Sequence, residues 1–354
     1  MDERKEHLWK VAQEAEDRIE DLVKAGAHPV GVDVGTSKVV VARRKANKEV
    51  ETASQLNAFI PVPYSRFTES TLGQNDISYY REGEELIIYG AATERFANMF
   101  NADTRRPMAD GVINPAERSA MAVLEAILQT MLPKASVAGE TLAFSVPAAP
   151  EGHEADLTYH EATLRRYFES LGYRAVAINE GLAVIFSELE GNNFTGIGLS
   201  CGGGMCNATL AYLSIPSIVL GVAKGGDFID RAAGHVLREH ATRVKVIKEE
   251  GLDLSRAPKD RLEKALHIYY EDLVETLVEA LRRAISKADK LPKAERAVPI
   301  VLSGGSAKPR GFRELFERAL KLRPLPIEIS EIRVASDPLT ATARGSLIAA
   351  MYEK

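Results

Sequence analysis

The sequence predicts an α/β protein made of two related halves that face each other across a cleft. The first observation is a strand–turn–strand pattern that occurs twice, at residues 30–42 (VGVDVGTSKVVVA) and 196–210 (GIGLSCGGGMCNATL). The second is that small or acidic residues recur 167 positions apart: Gly31, Asp33 and Gly35 in the first copy, and Gly198, Ser200 and Gly202 in the second. The third is that strand-like and amphipathic helical stretches alternate along the rest of the chain.

Length and composition narrow the classes of function. A chain of 354 residues is long enough for about two domains, each with its own core. A net charge of −5 gives no electrostatic reason to expect nucleic-acid binding. No apolar run approaches the length of a membrane span, and the charged start has no signal-peptide core, so we expect a cytoplasmic protein. The two cysteines, Cys201 and Cys206, exclude a disulfide framework and are expected to be free buried thiols; a redox lock on the adjacent turn is the alternative.

The N-terminal stretch, residues 1–28, is predicted to be a helical extension. Its apolar residues recur at spacings of three and four, which is typical of an amphipathic helix. A membrane-surface helix anchored by Trp9 is one interpretation. The net charge of −3 over residues 1–24 argues against it, because interfacial helices favour a basic face. Packing against the body of the protein or against a partner helix is the favoured interpretation.

The first copy of the repeated pattern predicts a phosphate-binding turn. Asp33 ends an apolar strand and precedes the small residues Gly35, Thr36 and Ser37. A carboxylate at that place could hold magnesium, directly or through water, since Mg²⁺ prefers carboxylate and phosphate oxygens. Lys38 could neutralise phosphate charge, or it could be a solvated turn lysine.

The second copy contains three consecutive glycines, Gly202, Gly203 and Gly204. Residues without a Cβ let backbone N–H groups approach a ligand and form an anion-binding nest. A plain hairpin turn that binds nothing is the alternative. Because the first copy supplies a matching turn, the favoured interpretation is a clamp that holds a polyphosphate from both sides.

Glu180 is the second candidate acidic residue. It follows a strand at 174–179 and opens a helix, which places it at the carboxyl edge of a sheet, where open α/β proteins bind ligands. There it could orient or deprotonate an attacking water. The alternative is a carboxylate that only stabilises a helix N-terminus, by about 0.3 to 1 kcal/mol.

Further glycine pairs occur later in the chain. Gly225 and Gly226 precede a helix, and Gly304 and Gly305 follow a buried strand, so both pairs are candidate ligand contacts. We expect one helix at 228–250, a long amphipathic helix at 258–288, and a final helix from Asp337 whose small residues permit a close helix contact. The expected boundaries are domain I at 29–180 with an inserted subdomain at about 45–100, domain II at 181–336 with a reduced helical subdomain at about 240–290, and a C-terminal hinge helix at 337–354.

Together these motifs resemble the actin, heat-shock-chaperone and sugar-kinase ATPase superfamily, and most closely the MreB-type bacterial actins. The two phosphate loops of that family are similar to VGVDVGTSKVVVA and GLSCGGGMCN, and its hinge helices to INEGLAVIF and DPLTATARGSLIAA. Its adenosine loop is similar to IVLSGGSAKPRGF, and RPMADGVI and KGGDFID also resemble MreB-type segments. The motifs run in the family's order from about residue 29 to 350.

The resemblance implies two related actin-like (ribonuclease H-like) domains with ATP or ADP and Mg²⁺ in the cleft between them. It implies that Asp33 positions magnesium, that Glu180 acts on the hydrolytic water, and that the remaining candidates contact the nucleotide. Those contacts are Gly35, Thr36, Ser37 and Lys38 in the first loop, Ser200, Gly202, Gly203 and Gly204 in the second, Gly225 and Gly226 near the ribose, and Gly304, Gly305 and Lys308 in the adenosine loop. Self-association into filaments is the expected partnership.

The sequence also departs from the family pattern. Ser200 stands where the second loop normally has an aspartate, Met205 replaces the usual threonine, and Gly181 replaces the usual hinge proline. A hydroxyl does not carry the missing charge, so magnesium binding or activation of water should be weaker. Lys245 and Lys248 are only weak candidates for adenine contacts. The stretch before residue 258 is too short for the small β subdomain of MreB-type filaments.

The leading hypothesis is a slow ATPase that assembles in response to nucleotide. Because of Ser200, a nucleotide-binding scaffold that does not hydrolyse ATP is the second hypothesis. A small-molecule kinase is a third, and it would need Asp227 or Asp230 as the base that accepts a proton from the acceptor hydroxyl.

Overall fold

The computed structural model describes residues 28–45, 49–149, 154–288 and 297–353, with side chains of 154 and 155 left aside. The predicted N-terminal helical extension lies outside the described residues. Among the helices that are described, none combines the length and apolar content needed to cross a bilayer.

The first half of the molecule runs from β1 to β10. Its elements are β1 (Val30–Val34), β2 (Lys38–Arg44), β3 (Val50–Leu56), β4 (Phe59–Pro63), α1 (Arg66–Gln74), β5 (Tyr79–Glu82), β6 (Glu85–Tyr89), α2 (Ala92–Phe100), β7 (Met108–Ala109), β8 (Val112–Ile113), α3 (Ala120–Met131), β9 (Thr141–Val146), α4 (Glu154–Ser170) and β10 (Arg174–Asn179).

The second half runs from α5 to β15 and is followed by a last helix. Its elements are α5 (Glu180–Glu188), β11 (Gly196–Cys201), β12 (Cys206–Tyr212), β13 (Ile215–Val222), α6 (Gly226–Leu237), α7 (Ala241–Gly251), α8 (Arg261–Lys287), β14 (Val298–Ser303), α9 (Phe312–Leu322), β15 (Ile329–Val334) and α10 (Ala341–Tyr352).

Each half contains a five-stranded sheet, and the two sheets have the same topology. The strand order is β10-β9-β1-β2-β3 in the first and β15-β14-β11-β12-β13 in the second. In both, an antiparallel hairpin pairs with parallel strands that arrive later in the chain. The cross-strand register is also the same, since Asp33 faces Val40 in one hairpin and Ser200 faces Asn207 in the other. This confirms the two related α/β halves that the repeated motif predicts.

Helices cover each sheet and form two separate cores. In the first, α3 and α4 bury Leu124 and Phe168 against Phe144 of β9. In the second, the long helix α8 buries a continuous stripe that includes Leu273 and Leu277, as its apolar spacing predicts. Fully burying each such side chain is worth about 1.5 to 3 kcal/mol, so these stripes dominate the stability of each half.

The helices α5 and α10 cross between the two sheets. They pack so closely that a Cβ added to Gly345 would lie 1.7 Å from the carbonyl oxygen of Ala183. Each helix also lies directly on a strand glycine, since a Cβ at Gly31 would be 2.2 Å from Ala343 O of α10 and one at Gly198 would be 2.2 Å from Gly181 O of α5. The small residues expected in the final helix therefore serve a close contact between helices.

The first half also carries an inserted three-stranded sheet of order β4-β6-β5. The hairpin of β5 and β6 is at the place that the sequence predicts, around the REGEE turn. The sheet packs Ile60, Leu86 and Ile88 against Leu72 of α1 and Ala97 of α2. Strand β3, in contrast, continues the main sheet. The boundaries given above for the domains and subdomains stay predictions.

Two helix assignments from the sequence are wrong in detail. The helix expected at 228–250 is two helices, α6 and α7, because Arg238 adopts a left-handed conformation with φ 58° and ends α6. The final helix begins at Ala341, after Asp337, because the Asp337 carboxylate accepts hydrogen bonds from the Leu339 N–H and the Thr340 hydroxyl and forms a turn there. The described residues between α7 and α8 form no strand, as the shortness of that stretch predicts.

Candidate functional site

A cavity of about 460 Å³ lies between the two halves, at the carboxyl ends of β1 and β11. All but one of the site residues predicted from the sequence line it: Asp33, Gly35, Thr36, Ser37, Lys38, Glu180, Ser200, Gly202, Gly203, Gly204, Gly226, Gly304, Gly305 and Lys308. The exception is Gly225, which is packed behind the second turn, where an added Cβ would be 2.4 Å from the carbonyl oxygen of Gly203. The cavity is the site at which open α/β proteins bind ligands.

The two glycine turns are built alike and face each other across the cavity. The N–H of Gly35 donates to the carbonyl of Lys38, and the N–H of Gly202 donates to the carbonyl of Met205, both at 3.0 Å. The turns also touch, because a Cβ added to Gly203 would lie 2.1 Å from the Ser37 hydroxyl. Only a residue without a side chain fits there, so the glycines are required by the approach of the opposite turn as well as by any ligand.

Two partly buried carboxyl groups, those of Asp33 and Glu180, line the cavity. Asp33 accepts a 2.6 Å hydrogen bond from the Ser145 hydroxyl, and Glu180 accepts one of 2.9 Å from the Asn207 amide as well as one from Ser200. Burial raises the pKa of both carboxyl groups, and the charge of Asp33 raises the pKa of Glu180 further. A cation bound between them would relieve that repulsion and favour their ionised forms.

The donor set fits magnesium bound together with phosphate, and it does not fit a metal held by protein alone. Within the described ranges, no three His, Cys, Asp or Glu side chains gather as a metal site. Mg²⁺ characteristically binds through one or two carboxylates, several waters and the phosphates of a substrate. Asp33, assigned to magnesium from the sequence, and Glu180 are two carboxylates of the cavity lining that could serve in this way.

Arg106 connects the first turn to α6 of the second half and is a residue that sequence reasoning missed. Its Nη1 donates to the Thr36 carbonyl and to the Ser37 hydroxyl, both at 3.1 Å, and its Nη2 lies 3.4 Å from Asp227 Oδ1 of α6. The feature of the sequence that could have identified Arg106 is its position at the start of the RPMADGVI segment. The residue types predict that Asp110 and Gly111 form a turn in that segment, and the structure has it: both residues have the positive φ that a two-residue type I′ hairpin needs.

Further polar contacts cross the edge of the cleft between the first half and α6 or α7. The Lys245 ammonium lies 2.6 Å from Glu94, and the Asp103 carboxylate accepts a hydrogen bond from the Thr242 N–H at 3.0 Å. Arg231 lies 3.8 Å from Asp110. These contacts, with Arg106 and Asp227, are called the cleft-edge contacts below.

The carboxylates suggested for a kinase base each contact a cation. Asp227 contacts Arg106, as described above, and Asp230 lies 2.8 Å from the Lys248 ammonium. Burial raises the pKa of Asp230 to about 6 even though Lys248 acts in the opposite direction. An aspartate engaged in this way is poorly placed to accept a proton from a substrate hydroxyl. Lys248 also donates to the Gly226 carbonyl, so it supports the start of α6.

The far end of the cavity is lined by segments that are remote in sequence. Gly304, with φ 90°, turns the chain at the end of β14 and leads to Lys308 and Arg310. Facing them are residues 249–253 at the end of α7, and Pro338 with Leu339 before α10. Sequence reasoning identified the glycines and Lys308, and it placed Pro338 and Leu339 in a hinge motif, but it did not identify residues 249–253, which carry no motif.

The cysteines occupy directly opposite positions on β11 and β12, and both are buried and free. A hydrogen bond to Cys201 and burial raise the pKa of the Cys206 thiol well above its ordinary value. They pack as small apolar side chains behind the second turn, as expected.

Comparisons with known proteins agree with this architecture. The Volactin family model matches residues 29–350, whereas no curated protein matches the sequence. Among solved structures, a MamK double helical filament has a TM-score of 0.66 at 17% identity, covering 91% of this chain and 98% of that chain. MreB5 of Spiroplasma citri bound to ADP has a TM-score of 0.57 at 14% identity, covering 91% and 95%.

A third similar structure is the ethanolamine utilization protein EutJ from Carboxydothermus hydrogenoformans, with a TM-score of 0.54 at 16% identity, covering 95% of this chain and 99% of that chain. At these identities the solved structures establish the fold alone, which is the two-domain actin-like fold that the sequence motifs predict. Since the family model spans nearly the whole chain, the protein belongs to the Volactin family.

Proposed function

We propose that this protein binds ATP or ADP with Mg²⁺ in the cleft, hydrolyses ATP slowly, and assembles with copies of itself in a nucleotide-dependent way. The observation that carries the proposal is the convergence of two glycine turns and two partly buried carboxyl groups on one cavity. The turns offer backbone N–H groups for phosphate oxygens, and the carboxyl groups offer the charge that a phosphate-bound cation needs.

Each wall of the cavity has a distinct part in this proposal. Asp33, oriented by Ser145, would hold the magnesium ion, which would supply positive charge against the phosphates. Lys38 would add a cationic contact from the first turn. Glu180, oriented by Asn207, would accept a hydrogen bond from the attacking water and keep it in line with the terminal phosphate.

Ser200 favours a second candidate, a scaffold that binds nucleotide without turnover. It is a buried hydroxyl that bonds to Glu180, so the second turn has no carboxylate at the position equivalent to Asp33. An enzyme with one fewer acidic group should stabilise the charge of the transition state less well. Binding of nucleotide without release of phosphate would select the scaffold over the ATPase.

Self-association is supported by the fold and by one similar structure. The MamK structure with which the chain shares its fold is a double helical filament. A cleft that joins two rigid halves is a plausible switch, because a ligand that favours one angle between them changes the surface available to a second copy. Sedimentation and electron microscopy with Mg–ATP, with Mg–ADP and without nucleotide test this part; equal sedimentation in all three would contradict it.

The chemical part is tested by nucleotide affinity and phosphate release in the same preparation. We expect the wild-type protein to bind Mg–ATP more tightly than ATP in EDTA, and to release phosphate slowly. Glu180→Gln should abolish release and retain binding, whereas Glu328→Gln, which changes an exposed carboxylate beside β15, is the matched control and should retain both. Release that is equal in wild type and Glu180→Gln would exclude Glu180 from the reaction.

A further inference from the structure

Strand β12 carries two buried polar side chains on one face, Asn207 and Thr209. Alternate residues of a strand share a face, so both side chains point toward the same neighbour, the junction of β10 with α5. In the first half, the positions with the same register are Val40 and Ala42, which are apolar. The polar pair is therefore an addition to the second half and not a requirement of the repeated fold.

Both side chains fix the junction at which Glu180 begins α5. The Thr209 hydroxyl donates to Asn179 Oδ1 at 2.6 Å, and the same oxygen caps the helix by accepting from the Gly181 N–H at 3.0 Å. The Asn207 amide donates to Glu180 Oε2 at 2.9 Å. Thr209 thus holds the cap of the helix, and Asn207 holds the carboxyl group itself.

The orientation of the Asn207 amide is determined by a third group. The N–H of Ala148 donates to Asn207 Oδ1 at 2.8 Å. A backbone N–H can only donate, so the amide oxygen must face Ala148 and the NH₂ group must face Glu180. As long as the Ala148 contact is present, Asn207 therefore directs its NH₂ group, a hydrogen-bond donor, toward Glu180.

This chain of contacts joins the two halves. Ala148 follows β9 of the first half, Asn207 belongs to β12 of the second half, and Glu180 lies where the chain passes from one to the other. If the halves rotate so that Ala148 leaves Asn207, the amide is free to turn its oxygen toward Glu180. An oxygen there would repel an ionised carboxylate instead of holding it.

We infer that Asn207 is a positioning residue for Glu180, and that its contact with Ala148 makes the orientation of that carboxyl group depend on the closed arrangement of the two halves. The role rests on the proposed function, because positioning matters only if Glu180 acts on a ligand or water in the cleft. The contact itself can be measured without any turnover.

The first experiment is a double-mutant cycle on thermal unfolding with Asn207→Ala, Glu180→Ala and the double variant. If Asn207 holds Glu180, the loss of Tm in the double variant should be smaller than the sum of the single losses by several degrees. Additive losses would overturn the inference. This arm decides the contact even if the protein hydrolyses nothing.

The second experiment compares nucleotide binding with phosphate release. Asn207→Asp has nearly the same shape but replaces the donor by a negative charge, so we expect kcat to fall by about ten- to a hundredfold. The Kd for Mg–ATP should stay within about threefold of the wild type. Asn192→Asp makes the same chemical change at an exposed position outside the cavity lining and is the matched control, with kcat expected within about threefold of the wild type.

The outcomes separate the inference from the proposed function. Unchanged kcat in Asn207→Asp, or a fall in kcat that Asn192→Asp reproduces, would overturn a specific role of Asn207. If the wild-type protein binds nucleotide but releases no phosphate, the hydrolytic part of the proposed function fails, and the double-mutant cycle still decides whether Asn207 holds Glu180.

Discussion

The two glycine turns have the same backbone and different chemistry. Both close with a 3.0 Å hydrogen bond at matched positions, and both follow a strand of the same register in sheets of the same order. The first turn carries Asp33 and Lys38, whereas the second has Ser200 and Met205 in the equivalent places. The repeat therefore supplies the same turn geometry twice, while only the first turn carries charged side chains.

Met205 shows what the second turn does instead. Its side chain is buried, and a Cβ added to Gly111 would lie 2.4 Å from its sulfur atom, while one added to Gly221 would lie 2.6 Å from its terminal carbon. The methionine side chain thus fills the space between the β7–β8 hairpin of the first half and β13. The residue at the equivalent position of the first turn, Lys38, is a cation that lines the cavity. One turn is specialised for charge and the other for packing.

The substitutions with the largest expected effect test whether the close contact between a strand glycine and a crossing helix excludes a Cβ equally in both halves. Gly31→Ala and Gly198→Ala would each place a methyl group 2.2 Å from the backbone of a crossing helix. We expect each to lower the free energy of unfolding by about 3 kcal/mol or more, because neither backbone can move easily. Chemical denaturation measures this. Gly73→Ala is the control, since nothing lies within 4 Å of a Cβ there, and it should be neutral or slightly stabilising.

The next effect concerns the matched pair Asp33 and Ser200. Asp33→Ser should weaken Mg–ATP binding by about a hundredfold and remove its dependence on magnesium, because the assigned ligand is lost. Ser200→Asp should lower Tm in EDTA, since a third carboxyl group would join two partly buried ones, and excess Mg²⁺ with nucleotide should restore it. Isothermal titration measures the change in affinity, and thermal unfolding measures the change in Tm. A Ser200→Asp variant whose Tm does not change when Mg²⁺ and nucleotide are added would contradict this account.

Two buried ionisable groups, His160 and Asp230, respond to acid in opposite directions. In the first half, burial lowers the pKa of His160 to about 4, so its contribution to stability is present above pH 6.5 and is lost as the pH falls toward 4. In the second half, the raised pKa of Asp230 acts with the opposite sign between about pH 6 and 3.8. Between pH 6.5 and about 4, we expect the low pKa of His160 to reduce the free energy of unfolding of the wild type by about 2 to 3 kcal/mol. His160→Gln should remove this part of the pH dependence in denaturation curves, and an unchanged slope would exclude it.

A smaller effect should follow from exchanging the residues that differentiate the turns. Lys38→Met gives the first turn the residue of the second, and we expect Mg–ATP affinity to fall by about tenfold with little change in Tm, because a charge-assisted contact is lost from a partly exposed side chain. Lys321→Met, at the exposed end of α9, is the control for removing one positive charge. Equal affinity in both variants would favour the solvated turn lysine considered from the sequence.

The sequence predicted the parts of the site that depend on local backbone chemistry. Glycine runs after apolar strands identified both turns, and a carboxylate between a strand and a helix identified Glu180. Arg106 and Asn207 were missed because their roles come from contacts with residues 70 or 27 positions away, which no local pattern records. The break at Arg238 was missed for a different reason, since a left-handed arginine is uncommon and the apolar spacing continues on both sides.

The cleft-edge contacts give the protein a dependence on its ionic surroundings. Arg231 and Asp110 are largely exposed, whereas Lys245 is buried, so dissolved salt should screen some of these pairs much more than others. If the halves must separate there before a ligand leaves, the rate of nucleotide dissociation should rise about twofold between 0.05 and 0.5 M NaCl. Stopped-flow displacement of a fluorescent nucleotide would measure it. In that case the ionic strength of the medium, and not only the nucleotide supply, would set how long each molecule keeps its ligand.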